Sequence, residues 1–288
     1  MKRTLIKHGD SSLTVTLPQK WIQENGLIKG NEVNVENFNK DLLISIYKGE
    51  KLEKKLNIDI SGLEKSIRKI IGAAYKTGYN QVKILFSNPE ELLKSQEMIR
   101  EQLLGFSIIE QTKNHLIIKN IGLETGEDFG KILRRYFHLL TFMCSECKEA
   151  AKTNDSNWLK TTKVMEIEID KTADYLRRLI NKGYNTNYSL PGPLYTIIEQ
   201  YEKIGDQLSE LCDFLIKKPA SKNEIVLLND FDKKLRDYVE LFYNFNYKRY
   251  NELLEIPKIT ETADLSQYIK MMFQTLINTN GPIIALNI

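Results

Sequence analysis

SNWLKTTKVMEIEIDKTADYLRRLINKG, residues 156–183, carries Trp158, Thr162, Met165, Ile169, Ala173, Leu176 and Ile180 at alternating steps of three and four. At 3.6 residues per turn, that spacing puts all seven on one stripe of a helix. Residues 191–217 repeat it with Leu194, Ile198, Tyr201, Gly205, Leu208, Cys212 and Leu215. Two consecutive helices with apolar seams predict an antiparallel bundle. Outward from this pair, helical periodicity holds from Gly126 to the end, in segments near 127–153, 156–183, 191–217, 222–255 and 262–280. Breaks fall at Asn154-Asp155, Pro191-Gly192-Pro193 and Pro219.

The acids of this half follow the seams. One position after successive seam residues stand Glu166, Asp170 and Asp174 on one helix, and Glu199, Glu202, Asp206 and Asp213 on the next. Like charges at i and i+4, as in Asp170/Asp174 and Glu202/Asp206, destabilise a free helix by about 0.2–0.5 kcal/mol per pair. Hard cations held by carboxylate oxygens from adjacent helices would offset that. With 38 acids in 288 residues, chance alone yields about five such pairs. The signal is therefore their repetition in neighbouring helices at one offset from the seam, while Arg177 and Lys203 lie close enough to pair with some of them.

The first 50 residues read differently. Ser12-Leu13-Thr14-Val15-Thr16-Leu17 alternates as a strand that Pro18 ends; a short helix, Gln19 to Asn25, stops at Gly26; strands follow at Glu32–Glu36 and Leu42–Tyr47 around an Asn37–Asp41 turn. So short a β unit needs a second copy to complete its core. Its start holds Lys2, Arg3, Lys7 and the titratable His8 with no acid among the first eight residues, a cluster that a two-fold dimer doubles and that suits phosphates along a duplex. After a charged linker at 51–55 come a strand (Leu56–Ile60), a helix from Ser61 to Thr77 with Ser61 as N-cap and Glu64 completing a capping box, and a strand (Gln81–Phe86). A helix from Pro89 to Leu104 and strands at Phe106–Gln111 and His115–Asn120 complete a βαβαββ layer without a Gly-rich phosphate loop.

Composition sets the bounds. At 42% hydrophobic and 27% charged residues the chain reads as an ordinary globular protein with more than one core, no apolar run reaches transmembrane length, and the N-terminus has no signal-peptide h-region. A cytoplasmic location is expected, and three cysteines fit a reducing compartment. Cys144 and Cys147 form a lone CxxC with His138 nearby, but Cys212, His8 and His115 lie far off in sequence, so buried helix cysteines are expected rather than zinc. No nucleophile and base stand in a catalytic order, and no enzyme activity is expected. The net charge of +3 averages a basic start with acidic helices.

Two resemblances sharpen this reading. Lys7-His-Gly-Asp-Ser-Ser-Leu-Thr-Val-Thr-Leu-Pro-Gln-Lys-Trp21 with Gly26-Leu-Ile-Lys-Gly-Asn-Glu-Val33 resembles the SpoVT-AbrB swapped-hairpin family, its archaeal branch in particular. The resemblance implies an intertwined β-barrel homodimer that binds DNA. Bacterial members carry basic residues where this chain has Thr14 and Ile22-Gln23, which leaves Lys2, Arg3, Lys7, His8 and Lys20 as DNA-contact candidates. Asp170-Lys-Thr-Ala-Asp174 and Glu202-Lys-Ile-Gly-Asp206 are similar to the paired acid motifs of PhoU-like bundles associated with phosphate uptake. That similarity implies a metal site at Asp170, Asp174, Glu202 and Asp206, for a divalent or ferric ion such as Mg, Zn or Fe.

The expected architecture is α+β multidomain: a dimeric swapped-hairpin barrel at 1–50, a small α/β connector at 56–122 and a PhoU-like all-α bundle at 126–288. This order resembles archaeal phosphate-uptake regulators. A DNA-binding regulator of phosphate homeostasis is the leading expectation, with phosphate transporter or sensor proteins as further partners. The alternatives are an adaptor of such a transporter that uses the head only to dimerise, and an antitoxin-like repressor.

Overall fold

The computed structural model describes residues 2–9, 12–38, 41–46, 54–122, 124, 128–185, 188–257 and 264–288. It is a mixed α+β chain divided into two compact units, Met1–Leu52 and Glu53–Ile288.

In the first unit, β1 (Ile6–His8) pairs antiparallel with β2 (Ser12–Thr14). The predicted strand over 12–17 is thus shorter, because Thr14 faces Ile6, the first residue of its partner. Helix α1 (Gln19–Glu24) follows Pro18, and the chain turns at Gly26, whose φ of 61° suits glycine. Strand β3 (Val33–Phe38) pairs with β4 (Asp41–Ile46) from Val33↔Ile46 to Phe38↔Asp41; Tyr47 lies outside the described residues. No described side chain of this unit is buried, and Leu5, Ile6, Leu13 and Val15 are all exposed.

The second unit holds two hydrophobic cores. In the first, β5 (Lys55–Asp59), α2 (Ile67–Lys76), β6 (Gln81–Leu85), α3 (Pro89–Gln102), β7 (Phe106–Gln111) and β8 (His115–Asn120) build a four-stranded sheet in the order β5-β6-β8-β7. Strands β5 and β6 are parallel and the other pairs antiparallel. Alternate residues Val82 and Ile84 on β6 and Leu116 and Ile118 on β8 are buried with Ile67, Ile71 and Tyr75 of α2. Helix α2 begins at Ile67 instead of Ser61, and Ser61 caps nothing. The Asp59 carboxylate takes the Ser61 N–H, Glu91 takes the Gly62 N–H at 2.6 Å, and Gly62 has a φ of 73°, so this backbone is a turn. A capping box does form at Asn88 and Glu91 on α3.

The second core is helical: α4 (Phe129–Thr153), α5 (Ser156–Lys163), α6 (Met165–Asn181), α7 (Pro191–Lys217), α8 (Lys222–Tyr243), α9 (Tyr247–Leu253), α10 (Asp264–Ile277) and α11 (Asn280–Ala285). All seven predicted seam residues of α7 are buried. The helix expected over 156–183 is two, α5 and α6. At the junction the Val164 N–H bonds Thr161 and the Ile167 N–H bonds Val164, a tightening to i→i+3 bonds that redirects the axis. Of the predicted seam, Trp158 is exposed while Thr162, Ile169, Ala173, Leu176 and Ile180 are buried. The helix expected over 222–255 breaks at 244–246, where the Asn246 side chain caps α9 through the Lys248 and Arg249 N–H groups.

Helix α6 joins the two cores. Arg178, fully buried, donates from Nε to Glu124 and from Nη1 to the Tyr75 carbonyl, both at 2.7 Å, and lies over the Tyr75 and Phe106 rings. Lys182 also pairs with Glu124, and the Asn181 amide donates to the Lys76 carbonyl. No helix among the described residues is long and apolar enough to cross a membrane.

Candidate carboxylate site

Where α6 crosses α7, Gly205 removes the side chain that would separate them: a Cβ there would lie 3.0 Å from Cγ2 of Ile169. The next residue on each helix is an acid, so this close approach sets Asp206 against Asp170. Glu166 stands one turn before Asp170 on the same helix edge. Glu166, Asp170 and Asp206 each offer a carboxylate oxygen within 4.8 Å of the others.

Electrostatics follow from the placement. Burial, then Glu166, Glu202 and Asp206 around it, push the Asp170 carboxyl up to about 8. Asp206 stands at the exposed rim, yet partial loss of water and then Glu202 and Glu166 raise it to about 6, with Arg177 opposing. Asp170 Oδ1 is buried and accepts no hydrogen bond. A buried oxygen without a donor, in an all-carboxylate set, fits a hard cation. Such a set suits Mg or Fe better than Zn, which favours nitrogen and sulfur ligands.

Of the four predicted metal residues, Asp170 and Asp206 join the cluster; Glu202 lies near enough to raise both carboxyls but, like Asp174, is held by Arg177. The Arg177 guanidinium lies 2.9 Å from both Asp174 and Glu202. Asp174 additionally receives Lys76 at 3.1 Å, from α2. Asp174 is thereby a strut between the two cores. Glu166 takes a place in the cluster; its signal was the same i,i+4 spacing, one turn N-terminal of the paired motif. Of the remaining stripe acids, Asp213 pairs with Lys163 and Glu199 is exposed.

Cys144, Cys147 and Cys212 are buried, and the Cys147 and Cys212 sulfurs lie 3.6 Å apart. His138 stacks on Phe142, and His115 bonds Glu110 and Thr112; neither joins the thiols. In the first unit Lys2, Arg3, Lys7, His8 and Lys20 are all exposed, with Lys20 at 3.8 Å from Glu24. No protein-family model, curated protein or solved structure matches the chain.

Proposed function

We propose that this chain is a homodimeric DNA-binding regulator of phosphate uptake, whose bundle holds a hard cation at Glu166, Asp170 and Asp206. The observation that carries the reading is the first unit itself. Its strands and the residues flanking them present Leu5, Ile6, Leu13, Val15, Val35 and Leu42 to solvent, each 44–63% exposed, beside an exposed basic row. Exposed apolar strands in a small unit call for a second copy, and the swapped-hairpin barrel is the arrangement the sequence motifs suggest. A dimer would double Lys2, Arg3, Lys7 and His8 into a phosphate-contacting surface. The link to phosphate uptake rests on the motif order along the chain.

The test is a polarisation titration of the full chain against duplex DNA from its own promoter region at several salt concentrations. Replacing Lys2, Arg3 and Lys7 by Gln should weaken binding and flatten the log–log salt slope by about 2.7 per chain, at about 0.9 for each phosphate left unneutralised. Unchanged affinity and slope would remove the basic arm from DNA binding. The uncharged Thr14 and Ile22-Gln23 favour a second reading, an adaptor of a phosphate transporter or sensor dimerising through its head. Such an adaptor shows no specific duplex.

A further inference from the structure

A second candidate site lies away from the carboxylates, on the outer face of α4. Lys131, Arg134, Arg135 and His138 follow one another at helical spacing and, with Gly130, Tyr188 and Tyr243, line a cleft of about 730 Å³. Among the described residues no carboxylate lines it. Two of its cations are lightly engaged elsewhere: Lys131 with Asp128 at 3.0 Å and Arg135 with Glu168 at 3.5 Å, on side chains 82% and 61% exposed. Surface pairs of this kind contribute little and exchange readily.

Arg134 and His138 have no carboxylate partner among the described residues. The Arg134 guanidinium is held instead at 4.9 Å over the Tyr243 ring, which orients its N–H groups without neutralising them. Tyr243 contributes its ring to the cleft, while its hydroxyl is shielded from solvent. Every side-chain polar group among these lining residues can donate a hydrogen bond or carries positive charge.

We propose that this cleft binds a small anion carrying two or more linked phosphates. Guanidinium, ammonium and imidazole donors match phosphate oxygens. The row from residue 131 to 138 runs two helical turns, about 10 Å, longer than a single phosphate covers. The partly buried Tyr188 and Tyr243 rings exclude water on one side, which strengthens the charge-assisted bonds. Bare polyphosphate and the phosphate chain of a nucleotide share this chemistry. The site shares no residue with the head or the carboxylate cluster, so it holds whether or not the readings above do.

Isothermal titration of the full chain with tripolyphosphate, ATP, pyrophosphate and orthophosphate at constant ionic strength tests it. One saturable site per chain is expected, at least tenfold tighter for tripolyphosphate or ATP than for orthophosphate. Tighter binding of ATP assigns the nucleotide and equal binding assigns the phosphate chain; both support the site. Arg134→Gln should weaken binding about tenfold or more, as expected when one charge-assisted hydrogen bond is removed. His138→Gln should weaken it severalfold, with an unfolding temperature near the parent value. No saturable binding overturns the proposal. So does binding that survives both Arg134→Gln and His138→Gln but is lost when Lys2, Arg3 and Lys7 are replaced.

Discussion

Arg177 on α6 holds Glu202 on α7 at 2.9 Å, with only 5% of the arginine side chain exposed. The same guanidinium holds Asp174, which reaches on to Lys76 in the α/β layer. One cation thus sorts five of the acids of α6 and α7. Asp174 and Glu202 are paired with it; Glu166, Asp170 and Asp206 face one another and form no ion pair among the described residues.

Removing Arg177 should therefore be costly. Arg177→Gln leaves Asp174 and Glu202 largely buried with less compensation, and loss of one partner from a buried pair costs about 3–5 kcal/mol. Denaturant titration reads this directly. Adding Glu202→Gln to the variant should recover part of the loss, because the stranded charge is removed with its partner.

The division also separates two substitutions that look alike in sequence. Glu166→Gln with Asp170→Asn should reduce the Mg, Mn or Fe retained after equilibration and desalting, measured by elemental analysis. Asp174→Asn should leave metal content at the parent level while lowering stability, since that carboxylate serves Lys76 and Arg177. An equal metal loss in both variants would move the cation site back to Asp174.

How far these roles were legible depends on the reach of the interactions that set them. The α7 seam from Leu194 to Leu215 was readable because each residue reports its own face of a regular helix. The break at Val164 was not, because no proline or glycine marks it and two tightened hydrogen bonds make it. Ser61 looked like a cap, but Glu91, distant in sequence, takes the adjacent Gly62 N–H. Asp174 and Glu202 matched a motif; Arg177 stood within pairing reach in sequence, but its bond to Glu202 and the arrival of Lys76 at Asp174 are visible only in the fold.

The cluster predicts an unusual pH dependence. An ordinary aspartate titrates near 3.8, while Asp170 in the fold is raised to about 8 and Asp206 to about 6. Between those limits the folded chain binds more protons than the unfolded chain, so their contribution to stability falls as pH rises from about 4 to about 8 and is level above. In chelator-treated protein, Asp170→Asn should flatten that decline, and its midpoint at pH 8 should equal or exceed the parent's. Added divalent cation should do the same for the parent by stabilising the ionised carboxylates. A parent curve that rises across this window without metal would exclude the proposed environment of Asp170.

Gly205 links packing to the site. A methyl group there meets Ile169 Cγ2 at 3.0 Å and Leu140 Cδ1 at 3.5 Å, both on fully buried side chains. Those neighbours have little room to give, so Gly205→Ala should push α7 from α6 and cost about 1–3 kcal/mol through overpacking, net of about 1 kcal/mol gained in helix propensity. Because Asp206 follows Gly205 and Asp170 follows Ile169, the same displacement should widen the carboxylate cluster. We expect cation affinity to fall together with the unfolding midpoint. Ile169→Val in the Gly205→Ala background relieves part of the clash and should restore both in parallel. Recovery of stability without recovery of cation binding would show that the helix separation does not govern the site.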